Sequence, residues 1–281
     1  MSFDLAGFRD QLRKHAIIKT NELKRLLLDD QNKKSFTKNG LSLNGRGLVN
    51  TAIAVANSRD NLDRYKTFQQ KQTTLAGFSF AFDFSGSMHW GLTNKAPQNL
   101  RFDELSRYQT FVYAMESLLN VLTPLGIKSY IGGVVFERNH DRNQGQFDTS
   151  TDNVQTKIKV IKKDTERFDI KNAFSGLQPN GSTYLVSYAL GAIEMAKRIK
   201  GVDKRIAIYM TDGDDNTSMP YLKSIQEQAK TEGVELICCI LEIGVSPATI
   251  TQLRNQGVNI MLIKTPMDFI SELTEVLKKI Y

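Results

Sequence analysis

Phe78, Phe80 and Phe82 alternate with small residues, and the run stops on a polar loop, Asp83-Phe84-Ser85-Gly86-Ser87. That pattern predicts a buried strand with Asp83 at its carboxyl end. A second apolar run, 206–210, stops in the same way at Thr211-Asp212-Gly213. Around these two lie further runs that read as strands over 127–136, 234–243 and 258–264. Val154, Thr156, Ile158 and Val160 alternate with Gln155, Lys157 and Lys159, which predicts a half-exposed strand whose lysines suit a sheet edge. Helices are expected over 101–122, where Pro124 and Gly126 stop the run, and over 184–200 and 220–232. A short helix is expected over 165–174. Ser246-Pro247 and Thr265-Pro266 each read as an N-cap followed by proline at the first helical position, and Gly257 closes the first of these two helices. Residues 89–99 and the long polar stretch 137–153 read as loops. Apolar strands alternating with helices imply a mostly parallel, Rossmann-like, doubly wound sheet covered on both faces.

The first 71 residues have a different texture. Leu5, Phe8, Leu12 and Ala16 recur at helical spacing, and Leu23, Leu26 and Leu27 predict a second helix with Thr20 as its N-cap. Residues 31–47 read as a loop, 48–56 as a short helix, and 65–72 as an extended lead-in. The expected organisation is a basic, mostly helical extension over 1–71, packed on an α/β domain over 72–281. Charge supports the division. Residues 1–71 hold 14 of the 37 basic and 7 of the 30 acidic residues, so the whole net charge of +7 lies there. A solvated helical face is the favoured reading of that excess. Nucleic-acid contact through the segment is the second reading, weakened because no aromatic residues interleave the lysines.

With 41% hydrophobic residues the chain can bury a sizeable core, yet no stretch approaches the roughly 20 apolar residues of a membrane span. The opening MSFDLAGFRDQLRKH lacks the apolar core of a signal peptide. The two cysteines, Cys238 and Cys239, are adjacent in a strand and point to opposite faces, so free thiols are expected. These features together lead to the expectation of a cytoplasmic protein with no membrane contact.

The two strand ends carry the candidate chemistry. Asp83, Ser85 and Ser87 place one carboxylate and two hydroxyls on one tight loop, with Gly86 allowing the turn between them. Asp212 is a second strand-end carboxylate. Asn180-Gly181-Ser182-Thr183 precedes a helix and offers a further hydroxyl. Carboxylate and hydroxyl oxygens suit a hard cation such as Mg²⁺.

Asp83-x-Ser85-x-Ser87, then Gly181-Ser182-Thr183, then Thr211-Asp212-Gly213 resembles, in order and in placement, the metal-ion-dependent adhesion site of von Willebrand factor A domains. The resemblance covers residues 72–281. It implies the von Willebrand A fold: a doubly wound, mostly parallel sheet with one antiparallel edge strand. It implies Mg²⁺, with Mn²⁺ or Ca²⁺ as alternatives, bound by Asp83, Ser85, Ser87, Thr183 and Asp212. The hydroxyls would contact the ion directly and the aspartates often through water. Ser182 is an alternative to Thr183. A partner's Asp or Glu would complete the shell, so the implied role is protein docking and not catalysis. Asp214 and Asp215 read as turn-capping residues or as ligands of a second cation. His89 and Trp90 read either as an apolar rim for the partner or as packing beneath the loop.

Enzyme readings lack their parts. A haloacid-dehalogenase-type phosphatase needs a second carboxylate two residues after the strand-end aspartate, and position 85 is serine. There is no Gly-x-Ser-x-Gly elbow and no Gly-x-x-x-x-Gly-Lys-Ser loop. Intracellular A domains commonly work beside AAA+ ATPases of the MoxR or chelatase type. Leu43-Asn44-Gly45-Arg46-Gly47-Leu48 and Phe68-Gln69-Gln70-Lys71-Gln72 are similar to the lead-in of the aerobic cobaltochelatase T subunit, which has stand-alone bacterial and phage relatives. The resemblance therefore implies an AAA+ ATPase as partner. A structural or assembly protein, viral in one version, is the alternative.

Overall fold

One helix, α1 (Leu5–Leu27), covers the stretch where two were expected. Thr20 does not cap a new helix. No glycine or proline interrupts the chain between the two apolar groups, and Leu12, Ala16 and Leu23 form one buried stripe at helical spacing. The computed structural model describes residues 4–27, 34–37, 42–43, 65–68, 76–91, 105–138, 154–170, 183–212, 219–241, 245–265 and 267–280.

The chain divides into two compact units: Met1–Leu27 with Thr74–Tyr281, and Leu28–Thr73. One division falls close to the expected boundary at residue 71, but α1 belongs to the larger unit and not to the extension. The smaller unit is not mostly helical in its described part. It contains β1 (Lys34–Thr37), β2 (Ser42–Leu43) and β3 (Tyr65–Phe68), an antiparallel sheet in the order β1-β3-β2 with Lys34 opposite Phe68. Two short strands thus lie within the expected loop over 31–47. The expected helix over 48–56 lies outside the described residues.

The larger unit is built on β4 (Ala76–Asp83), which is buried at every position. A 3₁₀ turn (Gly86–His89) follows, then α2 (Arg107–Leu122), β5 (Ser129–Arg138) and β6 (Val154–Lys162). Next come α3 (Leu185–Lys197), β7 (Lys204–Thr211), α4 (Met219–Thr231) and β8 (Val234–Leu241). The chain closes with α5 (Pro247–Asn255), β9 (Asn259–Ile263) and α6 (Asp268–Ile280). The sheet order is β6-β5-β4-β7-β8-β9. Only the β5–β6 pairing is antiparallel, which places the lysine-bearing strand at one edge as expected. The last two helices begin close to their predicted caps. The Ser246 hydroxyl accepts from the Thr249 N–H at 3.1 Å, and Gly257 ends α5 in the left-handed region at φ 75°. At α6 the Asp268 carboxylate reaches back to the Thr265 N–H at 2.8 Å. Residues 165–169, expected within a short helix, are irregular.

The alternation in β4 sets up both layers. Phe78, Phe80 and Phe82 face one side, where Phe80 meets Phe269 of α6 and Phe82 meets Tyr108 of α2 edge-on at 6.0 Å. The small residues face α3, close enough for the Ser79 hydroxyl to donate to the Ala192 carbonyl at 2.7 Å. Helix α1 covers α2 and α6. Phe8 packs on Tyr113, Arg9 pairs with Glu116 at 2.5 Å, and His15 is hydrogen-bonded to Ser271 at 2.8 Å. Cys238 and Cys239 are buried free thiols. Among the described residues, no helix is long and apolar enough to cross a membrane.

Candidate metal centre

The chain leaves β4 towards β5 on one side and leaves β7 towards β8 on the other. Strands β4 and β7 are neighbours in register, Phe82 opposite Met210. Their carboxyl ends therefore flank the topological switch point, the crevice where doubly wound sheets bind ligands. Asp83 ends β4, and Asp212 follows the last residue of β7.

Both carboxylates are buried and hydrogen-bonded. Asp83 Oδ1 accepts from the Ser85 N–H at 2.6 Å, and Oδ2 accepts from the Thr211 hydroxyl at 2.7 Å. Asp212 Oδ1 accepts from the Ser87 hydroxyl at 2.9 Å, and Oδ2 pairs with the Arg107 guanidinium. The Ser85 and Ser87 hydroxyls are 2.9 Å apart. Ser87 is thus the link between the loop after β4 and the end of β7. Phe84, between Asp83 and Ser85, anchors the loop by packing its buried ring on Tyr108 at 5.0 Å.

Burial, reinforced by the nearby Asp212 charge, pushes the Asp83 carboxyl up to about 7. The Tyr188 phenol on α3 is held above its usual range, first by burial and then by the charge of Asp83, with which it hydrogen-bonds.

The donor set fits a hard divalent ion. Neighbouring ligands of an octahedral Mg²⁺, with bonds of about 2.1 Å, stand about 3.0 Å apart. The Ser85–Ser87 and Ser87–Asp212 oxygen spacings of 2.9 Å match that edge. Among the described residues no three His, Cys, Asp or Glu side chains cluster, so hydroxyls must supply part of any shell here.

Of the five residues singled out in the sequence, Asp83, Ser85, Ser87 and Asp212 form one hydrogen-bonded group. Thr183 is not part of that network among the described residues. It is half-buried and stands directly before Tyr184, the N-cap of α3, the helix whose Tyr188 reaches Asp83. Gly181, Ser182, Asp214, Asp215 and residues 139–153 lie outside the described residues. Trp90 is exposed and His89 half-buried, while Met88 supplies the packing beneath the loop.

Four site residues were not anticipated: Arg107, Thr211 as a donor to Asp83, Phe84 and Tyr188. Arg107 carried a signal. Ser106-Arg107-Tyr108-Gln109 is a capping-box pattern, which starts the helix at 107 and not at the expected 101 and sets Arg107 in the turn beside the metal loop.

No family model and no curated protein sequence matches the chain. Solved structures do. PilB, a minor pilin from Streptococcus sanguinis, superposes with a TM-score of 0.51 and 14% identity over 77% of this chain and 64% of that one. The strand order of the larger unit, with its one antiparallel edge strand, is that of the von Willebrand A fold. A von Willebrand factor type A protein from Catenulispora acidiphila aligns at TM-score 0.44 and 14% identity, covering 76% of this chain and 43% of that one. Proximal thread matrix protein 1 from the mussel byssus, solved with a zinc-occupied MIDAS motif, aligns at 0.42 and 19% identity over 73% and 46%. The chain spans less than two thirds of the length of each of these three. In this von Willebrand A fold the switch-point crevice is the place where Asp83 and Asp212 meet.

Proposed function

We propose that the larger unit is a metal-dependent protein-docking module. Mg²⁺ would be held by the hydroxyls of Ser85, Ser87 and Thr183, with Asp83 and Asp212 as carboxylate partners. An Asp or Glu side chain of another protein would complete the shell. The observation that carries this reading is the pair of 2.9 Å oxygen spacings joining Ser85, Ser87 and Asp212 at the switch point. Bound there, the ion supplies a fixed positive charge with open coordination positions. The protein's own part is to hold the hydroxyls at ligand spacing and to anchor the carboxylates.

The reading makes the protein a binder and not an enzyme. Its working partner is an AAA+ ATPase of the MoxR or chelatase type, and its compartment is the cytoplasm. The support for that partner is the sequence resemblance around residues 43–48 and 68–72. Nucleic-acid binding through the N-terminal segment loses ground, because Arg9, Lys14 and Lys19 of α1 each pair with an acidic side chain.

Calorimetric titration of the chelator-treated protein tests the site. Mg²⁺ or Mn²⁺ should bind the intact protein, and Asp83→Ala and Ser85→Ala should each abolish the signal. Undiminished binding in both variants would place the metal elsewhere. Capture of an AAA+ ATPase from native cells should require Mg²⁺, and equal capture in chelator would remove the docking mechanism.

A further inference from the structure

The metal reading leaves one buried charge unexplained. Arg107 is 4% exposed and pairs with Asp212, on the oxygen opposite the one that accepts from Ser87. Resting on that metal reading, we propose that Arg107 is a built-in counter-cation of the centre: it holds Asp212 in place without metal, weakens intrinsic metal affinity, and leaves the loaded centre positively charged for an anionic ligand.

The backbone that carries the guanidinium is fixed where it stands. Ser106 and Gln109 close a reciprocal cap, with Gln109 N–H donating to the Ser106 hydroxyl at 3.2 Å and Ser106 N–H to Gln109 Oε1 at 2.9 Å. The Arg107 N–H donates to the Trp90 carbonyl at 2.9 Å, and the Trp90 N–H donates to the Ser87 carbonyl at 2.9 Å. Gly91 and Ser106 are bridged antiparallel. The start of α2 and the loop carrying Ser87 are therefore one hydrogen-bonded piece. That piece brings the buried charge to Asp212.

The charge count gives the direction. Ionised Asp83 and Asp212 against one guanidinium leave the centre at −1, and a divalent ion takes it to +1. With a neutral residue at position 107 the loaded centre would be neutral. Repulsion between Arg107 and an ion sharing the same carboxylate acts over a few ångströms in a buried site, where charges interact strongly. The opposing effect, loss of a group that orients a ligand, typically costs about 10–100-fold in affinity. Here it is small, because the Ser87 hydroxyl and the end of β7 still hold Asp212. Removing Arg107 should therefore tighten metal binding. The residual +1 also couples the two ligands, so a carboxylate binds better with the metal present and the metal better with the carboxylate.

The test uses full-length, chelator-stripped protein titrated with Mn²⁺ alone, then with Mn²⁺ in acetate. Arg107→Gln should bind Mn²⁺ at least about tenfold more tightly than wild type, and Arg107→Lys within about threefold of it. Acetate should strengthen Mn²⁺ binding more in wild type than in Arg107→Gln. Unchanged or weaker binding by Arg107→Gln, or equal tightening in Arg107→Lys, overturns the proposal while leaving a metal-binding wild type intact. If Arg107→Gln does not fold alone, Mn²⁺ should restore a cooperative melting transition by taking over as counter-cation, and failure of millimolar Mn²⁺ to do so overturns it. Absence of Mn²⁺ binding from every form, wild type included, removes the metal reading and this inference together.

Discussion

The Thr211 hydroxyl donates to Asp83 Oδ2 at 2.7 Å, a side-chain bond between neighbouring strands at the end that carries the site. Both groups are buried, so water cannot replace the donor if it is lost. Thr211→Val keeps the β-branched shape and removes only the hydroxyl. It should cost about 1–3 kcal/mol in urea unfolding, the range for stripping one partner from a buried polar group. Metal affinity should fall as well, because Asp83 loses one of the bonds that fix its carboxylate. A variant of unchanged stability would mean that Asp83 finds another donor.

Asp83 makes stability depend on pH in a direction unusual for a carboxylate. Its ordinary value is 3.8, and burial raises it to about 7 in the folded protein. Between these values the folded state holds a proton that the unfolded state has released. The contribution is complete below about pH 4 and is lost as pH rises through about 7. In chelator, the melting temperature should therefore decline from pH 5 to pH 8, and Asp83→Asn should flatten the decline. Saturating Mg²⁺ competes with the proton, so its stabilising increment should be larger at pH 8 than at pH 5. An increment independent of pH would separate Asp83 from the metal.

Gly133 lies under the ring of Phe84. A Cβ built at position 133 falls 1.7 Å from Phe84 Cε2, so any side chain there must displace the ring. Because Phe84 sits between Asp83 and Ser85, the displacement enters the metal loop directly. Gly133→Ala should cost about 1–3 kcal/mol, the usual penalty for overpacking a filled site, and should weaken Mn²⁺ binding. Combining it with Phe84→Ala, which clears the space, should recover part of the stability without restoring affinity.

The parts legible in the sequence are those where one residue's pattern decides its own placement. Phe78, Phe80 and Phe82 announce β4, the apolar run before Thr211 announces β7, and the lysines of β6 announce an edge. The motif residues Asp83, Ser85, Ser87 and Asp212 could be named because they sit where those runs stop. What was missed depends on pairing at a distance. The short strand β1, inside the stretch expected as a loop, exists through its pairing with β3, Lys34 opposite Phe68, and has no apolar pattern of its own. The Arg107–Asp212 pair joins positions 105 apart, and no local spacing points to it. Local pattern divides the helix of residues 5–27 at Thr20, because a threonine before an apolar group resembles a cap. Burial of Leu23 in line with Leu12 and Ala16 overrides that local preference.

Lys162 supplies the control that separates fold from site. It lies at the end of β6, with its register partner Ile131 near the start of β5. That is the end of the sheet away from Asp83. Its buried ammonium donates to the Ser129 carbonyl at 3.1 Å, the Ser129 hydroxyl at 2.8 Å and the Asp164 carbonyl at 2.5 Å. Burial lowers it to about 8, against partial compensation from Asp164 and Glu166. The three acceptors close the turn that follows β6, where Asp164 adopts a φ of 45°. Lys162→Met fills similar volume but offers no donors. It should cost about 2–3 kcal/mol or more, because hydrogen bonds from charged donors contribute more than neutral ones. Mn²⁺ affinity should stay within about twofold of wild type, since sites this far apart behave additively. Calorimetry beside a urea titration reads both quantities. Loss of metal affinity in step with stability would mean that the edge of the sheet and the switch point are coupled, and that the affinity changes at Thr211 and Gly133 report stability and not the metal loop.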